Sequence, residues 1–143
     1  MGDCFCIDCF SFSKFFILNR NTGKINVRRI ACAHDGGLIV NPDGLRNQIE
    51  GSILQTLGRA LREEVKFDRS RVTSVDWASY PILSFPDVPS LDVALIDRPS
   101  LPPLGAGEAS TAPVAAAVAN AVFDATGIRL RRVPLRLEVP VRG

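Results

Sequence analysis

Two long stretches carry apolar residues at helical spacing, and shorter alternating runs lie around them. In the first, Leu45, Ile49, Ile53, Leu57 and Leu61 recur every four residues, with Leu54 and Ala60 beside them. That stripe predicts a helix with one face toward a core. Asn41 and Pro42 precede it as a cap and a first-turn proline, and the helix is expected to mature after Gly44 and run to about residue 65. In the second, Val114, Ala117, Val118, Ala121, Val122 and Ala125 share one face. Pro113 suits the first turn of that helix, and Gly127 suits the left-handed position after its last.

Strands are predicted at 15–18 and 25–34, joined by the turn at 19–24. Along 25–34 the apolar phase changes, with Ile25 and Val27 on one face and Ile30 and Cys32 on the other, which predicts a bulge or twist. Further strands are predicted at 71–77, 91–96 and 128–133. Prolines mark loops at 86–89 and 97–103. No internal repeat is present. The pattern predicts an α+β domain, two main helices packed on an antiparallel or mixed sheet.

Composition narrows this picture only slightly. The chain has the length of one domain, 143 residues, and 46% of them are apolar, enough for a core. A net charge of +2 points to no particular partner. Arg129, Arg131, Arg132, Arg136 and Arg142 cluster at the end, without the interleaved aromatics that single-strand binding uses, so no nucleic-acid function is expected. No apolar run is long enough to predict a membrane span. The start MGDCFCIDCF is a poor signal peptide, so a cytoplasmic location is expected for the chain as encoded. Cys4, Cys6 and Cys9 form C-x-C-x-x-C, which fits neither zinc pairs nor common iron–sulfur runs. No metal site of the chain's own is expected there.

The candidate chemistry lies in 101–127, LPPLGAGEASTAPVAAAVANAVFDATG. A glycine turn holds one acid, Glu108, directly before a helix, and no lysine or arginine is close in sequence to neutralise it. Acids near a helix N-terminus are favoured by the dipole whatever their role. Gly105 and Gly107 leave backbone room for a bulky ligand.

The run GAGEASTAPVAAAVANAVFDATGIRLRRVP resembles the C-terminal end of molybdenum hydroxylase large subunits, the relatives of xanthine dehydrogenase and aldehyde oxidase. It looks most like the large subunits of isoquinoline oxidoreductase and nicotinate dehydrogenase. A second run, VNPDGLRNQIEGSILQTLGRALREE, resembles that family's Asn-Pro then Gln-x-Glu-Gly helix. The resemblance implies that Glu108 is the general base beside the molybdenum, that Gln48 reaches the molybdopterin cofactor, and that Gly51 allows close approach. It implies hydroxylation of N-heteroaromatic compounds or aldehydes with water as the oxygen source. It also implies partners: the N-terminal portion of the large subunit, whose other cofactor motifs are not in this sequence, and a small iron–sulfur subunit.

The resemblance divides the chain into a non-homologous segment, 1–14, and the C-terminal part of the second molybdopterin-binding domain, 15–143. His34-Asp35-Gly36-Gly37 and Thr56 depart from the family's usual residues. A fragment inactive by itself is the expected function. The alternatives are a non-catalytic remnant and a small α+β partner-binding module.

Overall fold

The computed structural model describes residues 16–18, as backbone, and 22–137. Cys4, Cys6 and Cys9 with the whole of segment 1–14, and residues 15, 19–21 and 138–143 of the domain assigned to 15–143, lie outside the described residues.

The first helix, α1, spans Pro42–Leu61. It begins at the cap and first-turn proline expected, and is regular from Pro42 rather than from Gly44 because the cap is complete at Asn41, whose side-chain oxygen accepts from Gly44 N at 2.9 Å. It ends earlier than expected. The N–H groups of Arg62 and Glu63 both close on Gly58 O, and the side chains there turn to tertiary partners. Arg62 pairs with Asp87 at 2.6 Å, and Glu63 accepts from the Tyr80 hydroxyl at 2.9 Å. The second helix, α2, spans Ala112–Thr126 and stops at Gly127, whose φ of 74° is the left-handed cap expected.

The strands form two separate ladders. β1 (Phe16–Leu18) and β2 (Ile25–Val27) make an antiparallel hairpin. β3 (Arg29–Asp35) pairs in parallel with β4 (Ser90–Ile96), from Arg29 opposite Ser90 to Asp35 opposite Ile96. The phase change along 25–34 is a full break at Arg28. Ile25 and Val27 are buried before it, and Ile30, Cys32 and His34 after it. Both pairing senses occur, but not in one sheet as expected.

Two expected strands are not present. Across 71–77 only an isolated bridge forms, Phe67 to Val72, because aspartates divert the backbone donors. Asp68 Oδ1 accepts from the N–H groups of Ser70 and Arg71, and Asp76 Oδ1 accepts from Ser79 N, local bonds that compete with a ladder. Residues 128–133 turn back instead of extending. Thr126 Oγ1 accepts from Ile128 N at 3.1 Å, and the Arg129 guanidinium stacks 3.5 Å over the Phe123 ring.

The core lies where α1 meets everything else. Ile49, Ile53 and Leu57 are fully buried against Val114, Val118 and Val122 of α2, Ile30, Cys32 and Val93 of the parallel pair, and Leu135. Leu45 and Leu61, the ends of the same stripe, are only partly buried. The result is an α+β architecture with α1 in the middle. Among the described residues, no helix is long and apolar enough to cross a membrane.

Candidate functional site

The Glu108 turn is pinned from two sides. On one side is the turn after β3. Gly37 stands at φ 62°, and a Cβ there would collide with the Pro102 carbonyl. That close approach brings Arg98 N onto Gly37 O at 2.8 Å and Leu104 N onto Gly36 O at 3.0 Å. Arg98 also pairs with Asp35 at 2.8 Å, and Asp97 accepts from Ile39 N at 3.0 Å. The Asp-Gly-Gly turn therefore anchors the proline-rich loop that leads to Glu108.

On the other side is α1. Gln48 donates from Nε2 to Gly107 O at 2.8 Å, and Ser52 donates from Oγ to the same oxygen at 3.1 Å. Gln48 and Ser52 are one helical turn apart and so share a face. Ser110 returns the contact, donating to Ile49 O at 3.3 Å. Glu108 itself has φ −134° and ψ 9°, and its carbonyl accepts both the N–H and the hydroxyl of Thr111, at 3.0 and 2.7 Å. Its carboxylate is exposed and makes no ion pair among the described residues. It stands just before the 3-10 turn Ala109–Thr111 that leads into α2.

Between α1 and this turn lies a cleft of ≈ 470 Å³ lined by Asn47, Gln48, Gly51, Ser52, Gln55, Gly107 and Glu108. Gln48 and Glu108, 60 positions apart in sequence, thus share one cleft, together with Gly51 and Gly107. Gly105 does not line it. Neither Gly105 nor Gly107 has a positive φ, and a Cβ on Gly51, Gly105 or Gly107 would meet nothing within 4 Å. Among the described residues nothing requires glycine at those positions, and at Gly51 and Gly107 the free space opens on the cleft. Ser52, Asn47 and Gln55 were not singled out in the sequence. The signal for Ser52 was its position four residues after Gln48, on the same face.

The lining contains three carboxamides, a hydroxyl and one carboxylate, and no lysine, arginine, cysteine or histidine. Among the described residues no three metal-ligating side chains converge. The cleft can therefore offer hydrogen bonds to a flat polar ligand and one proton acceptor beside it. The described arginines near the end of the chain do not line the cleft. Arg132 and Arg136 lie 3.7 and 3.4 Å from Glu64.

The family model "Molybdopterin cofactor-binding domain" matches residues 17–89, just over half of the chain. A nicotinate dehydrogenase subunit of Pseudomonas putida (strain KT2440) is 48% identical over 121 residues, covering 85% of this chain and 10% of its own length. The aldehyde oxidoreductase molybdenum-binding subunit PaoC of Escherichia coli (strain K12) is 36% identical over 124 residues, covering 82% of this chain and 17% of its own length. Among solved structures, the aldehyde oxidoreductase of Desulfovibrio gigas superposes with a TM-score of 0.72 at 27% identity, over 83% of this chain and 13% of that one. The chain thus spans less than a fifth of each of these relatives.

Proposed function

The chain belongs to the molybdopterin cofactor-binding domain family, and on that premise we propose that it forms one wall of the cofactor site of a molybdenum hydroxylase large subunit, as that subunit's C-terminal piece. The observation that carries the proposal is the hydrogen bond from Gln48 to Gly107 O. It joins the two stretches of sequence that resemble cofactor-binding segments, and it does so directly beside the one acid of the cleft.

The residues present fit the cofactor's chemistry. A pterin offers ring nitrogens, amino groups and carbonyl oxygens, and the side-chain amides of Asn47, Gln48 and Gln55 offer both donors and acceptors to them. Gly51 opens the helix surface to a flat ring, because nothing in the chain occupies the space its Cβ would take. The cleft holds no thiolate or imidazole, so a metal there would arrive with the cofactor. Bound, that group would supply the redox chemistry for hydroxylating an electron-poor carbon with oxygen from water.

The chain's own part is the proton and its placement. The Glu108 carboxylate accepts the proton that the oxygen nucleophile loses, which requires it to be held within hydrogen-bond reach. Its backbone is fixed by the Gly107 carbonyl on one side and by the Thr111 bonds on the other. Gln48 uses one N–H to hold the turn. Its second N–H and its oxygen can face the ligand. Water exclusion has to come from walls that this chain does not supply, because Glu108 is exposed here. The N-terminal portion of the large subunit would supply those walls, and a small iron–sulfur subunit would take up the electrons. The substrate class is N-heteroaromatic compounds or aldehydes, a reading supported by the relatives' names.

The test is dye reduction with nicotinate, isoquinoline and aldehydes. The chain supplied with cofactor is expected to be inactive alone. Co-expression with the N-terminal portion is expected to give turnover that is lost in Glu108→Gln while bound molybdenum remains. Turnover by the chain alone that vanishes in Glu108→Gln would overturn the fragment reading. Turnover in the assembled enzyme that survives Glu108→Gln would overturn the role of Glu108.

A further inference from the structure

The segment between α1 and β4 has its polarity inverted. Its polar side chains bond to one another. Asp68 Oδ1 accepts from the N–H and hydroxyl of Ser70 at 2.7 and 2.9 Å, and Asp76 Oδ1 accepts from the N–H and hydroxyl of Ser79 at 2.8 and 2.7 Å. Ser84 donates to Asp87 at 2.6 Å. Two contacts tie this arm to the end of α1, Tyr80 to Glu63 and Arg62 to Asp87. Meanwhile most of its large apolar side chains face solvent: Phe67 is 76% exposed, Val75 and Trp77 77%, and Phe85 96%, while Leu83 packs against the core. A free-standing domain places such residues the other way round, and a concentration of them outside marks a contact surface.

On α2, by contrast, Ala115 and Ala117 are half-buried and only Ala116 of that run is exposed. The arm holds its shape while Phe67, Trp77 and Phe85 stay exposed, so much of the ordering a partner would impose is already in place.

We infer that the arm is the surface by which this chain docks on the remaining portion of the large subunit, with Phe67, Trp77 and Phe85 seated in apolar pockets of that portion. The inference rests on the fragment reading above. Two facts choose the occupant. The arm lies inside residues 17–89, the region shared with the family model, so it is not an addition peculiar to this chain. The chain also matches only 10% of the length of the Pseudomonas putida nicotinate dehydrogenase subunit, so the relatives carry a large body of protein that this chain lacks. A surface common to the family fits a partner common to the family. The buried aromatic anchors typical of interfaces are the residue types the arm displays.

Trp77 is the single tryptophan of the chain, so it reports on the arm alone. The experiment labels this chain with fluorotryptophan and adds the Pseudomonas putida nicotinate dehydrogenase subunit from which the matching segment has been deleted. The expected result is a one-to-one complex in which the Trp77 fluorine signal shifts and loses its sensitivity to exchange of water for heavy water. Phe67→Ser and Phe85→Ser, both at exposed positions that leave the core intact, are each expected to weaken the complex by about 30-fold or more. A complex with Trp77 still solvated and with both variants binding like the parent overturns the inference and leaves the fragment reading standing. Absence of any complex overturns both. Protection of Trp77 in the chain alone, with a doubled mass, would make the occupant a second copy and overturn the assignment of partner.

Discussion

Replacing Gly37 by alanine tests whether the turn after β3 holds the approach to Glu108. Three costs add. The left-handed φ of 62° costs an alanine roughly 1–2 kcal/mol. The new Cβ meets the Pro102 carbonyl, which is backbone and cannot rotate away. Relieving that clash pushes the loop off the turn and strains Arg98 N to Gly37 O and Leu104 N to Gly36 O, each bond contributing about 0.5–1.5 kcal/mol. Against this, alanine narrows the unfolded ensemble by about 0.4–1 kcal/mol. The expected net loss is about 3 kcal/mol, read as a lowered urea midpoint by circular dichroism of the helices. Gly51→Ala is the matched control. It lies within α1, lacks a positive φ and would meet nothing, so the chain should gain about 0.5–1 kcal/mol. In the assembled enzyme the same substitution should lower cofactor content, because its methyl would enter the cleft. A Gly37→Ala chain within 0.5 kcal/mol of its parent, roughly the size of an ordinary surface effect, would refute the anchoring argument.

Gln48→Ala and Ser52→Ala each remove one of two donors to the same oxygen, so each should cost less than about 1 kcal/mol, while the double variant should exceed their sum by about 0.5 kcal/mol or more. Urea unfolding of the four chains completes the cycle, and strict additivity would show that the two donors do not share the load. A pH effect is expected in the arm. The Ser79 hydroxyl first, and then its N–H, hold the Asp76 carboxyl below the ordinary 3.8. A carboxylate lowered in the folded state stabilises its turn above the unfolded value and loses that contribution as pH falls through the folded one. Acid titration followed by Trp77 emission should therefore show the arm loosening below pH 3.8. Asp68, held low by Ser70, and Asp87, held low by Ser84, lie in the same arm, so the step should shrink rather than vanish in Asp76→Asn, and an unchanged titration there would refute the part assigned to Asp76.

How much of the fold could be read depended on whether the signal was local. The stripe through Ile49, Ile53 and Leu57 and the caps at Asn41 and Gly127 are short-range features, and they gave both helices. The reversal of phase around Arg28 was equally local and proved to be a strand break. Pairing was harder. Asp35 and Ser90 are separated by all of α1 and the arm, and nothing in either strand announces a parallel partner or its register. The 71–77 run failed for a different reason. It is a strand candidate in sequence, yet Asp68 before it and Asp76 within it accept from nearby N–H groups, and only the Phe67 to Val72 bridge forms. The spacing of those aspartates to Ser70 and Ser79 is a turn signal.

At the candidate site the motifs were legible and their division of labour was not. Gly107 and Glu108 stood out in the glycine turn, Gln48 and Gly51 entered through resemblance, and the structure brings all four to one cleft. Resemblance assigned Gln48 to the cofactor. The geometry gives it a second task, because its amide holds the carbonyl immediately before Glu108. One carboxamide can do both, having two N–H groups and an oxygen, so changing Gln48 removes a ligand contact together with one of the two bonds that hold the carbonyl before the acid. Ser52 donates to the same oxygen, so its loss tests the holding bond at a hydroxyl rather than at the carboxamide. Gly105, which looked equivalent to Gly107 in the sequence, lies outside the cleft because only Gly107 presents its carbonyl to α1. A glycine turn marks where backbone can approach something. Which of its peptide groups is used depends on a helix side chain some sixty positions earlier in the chain, and that pairing exists only once α1 and the turn have packed.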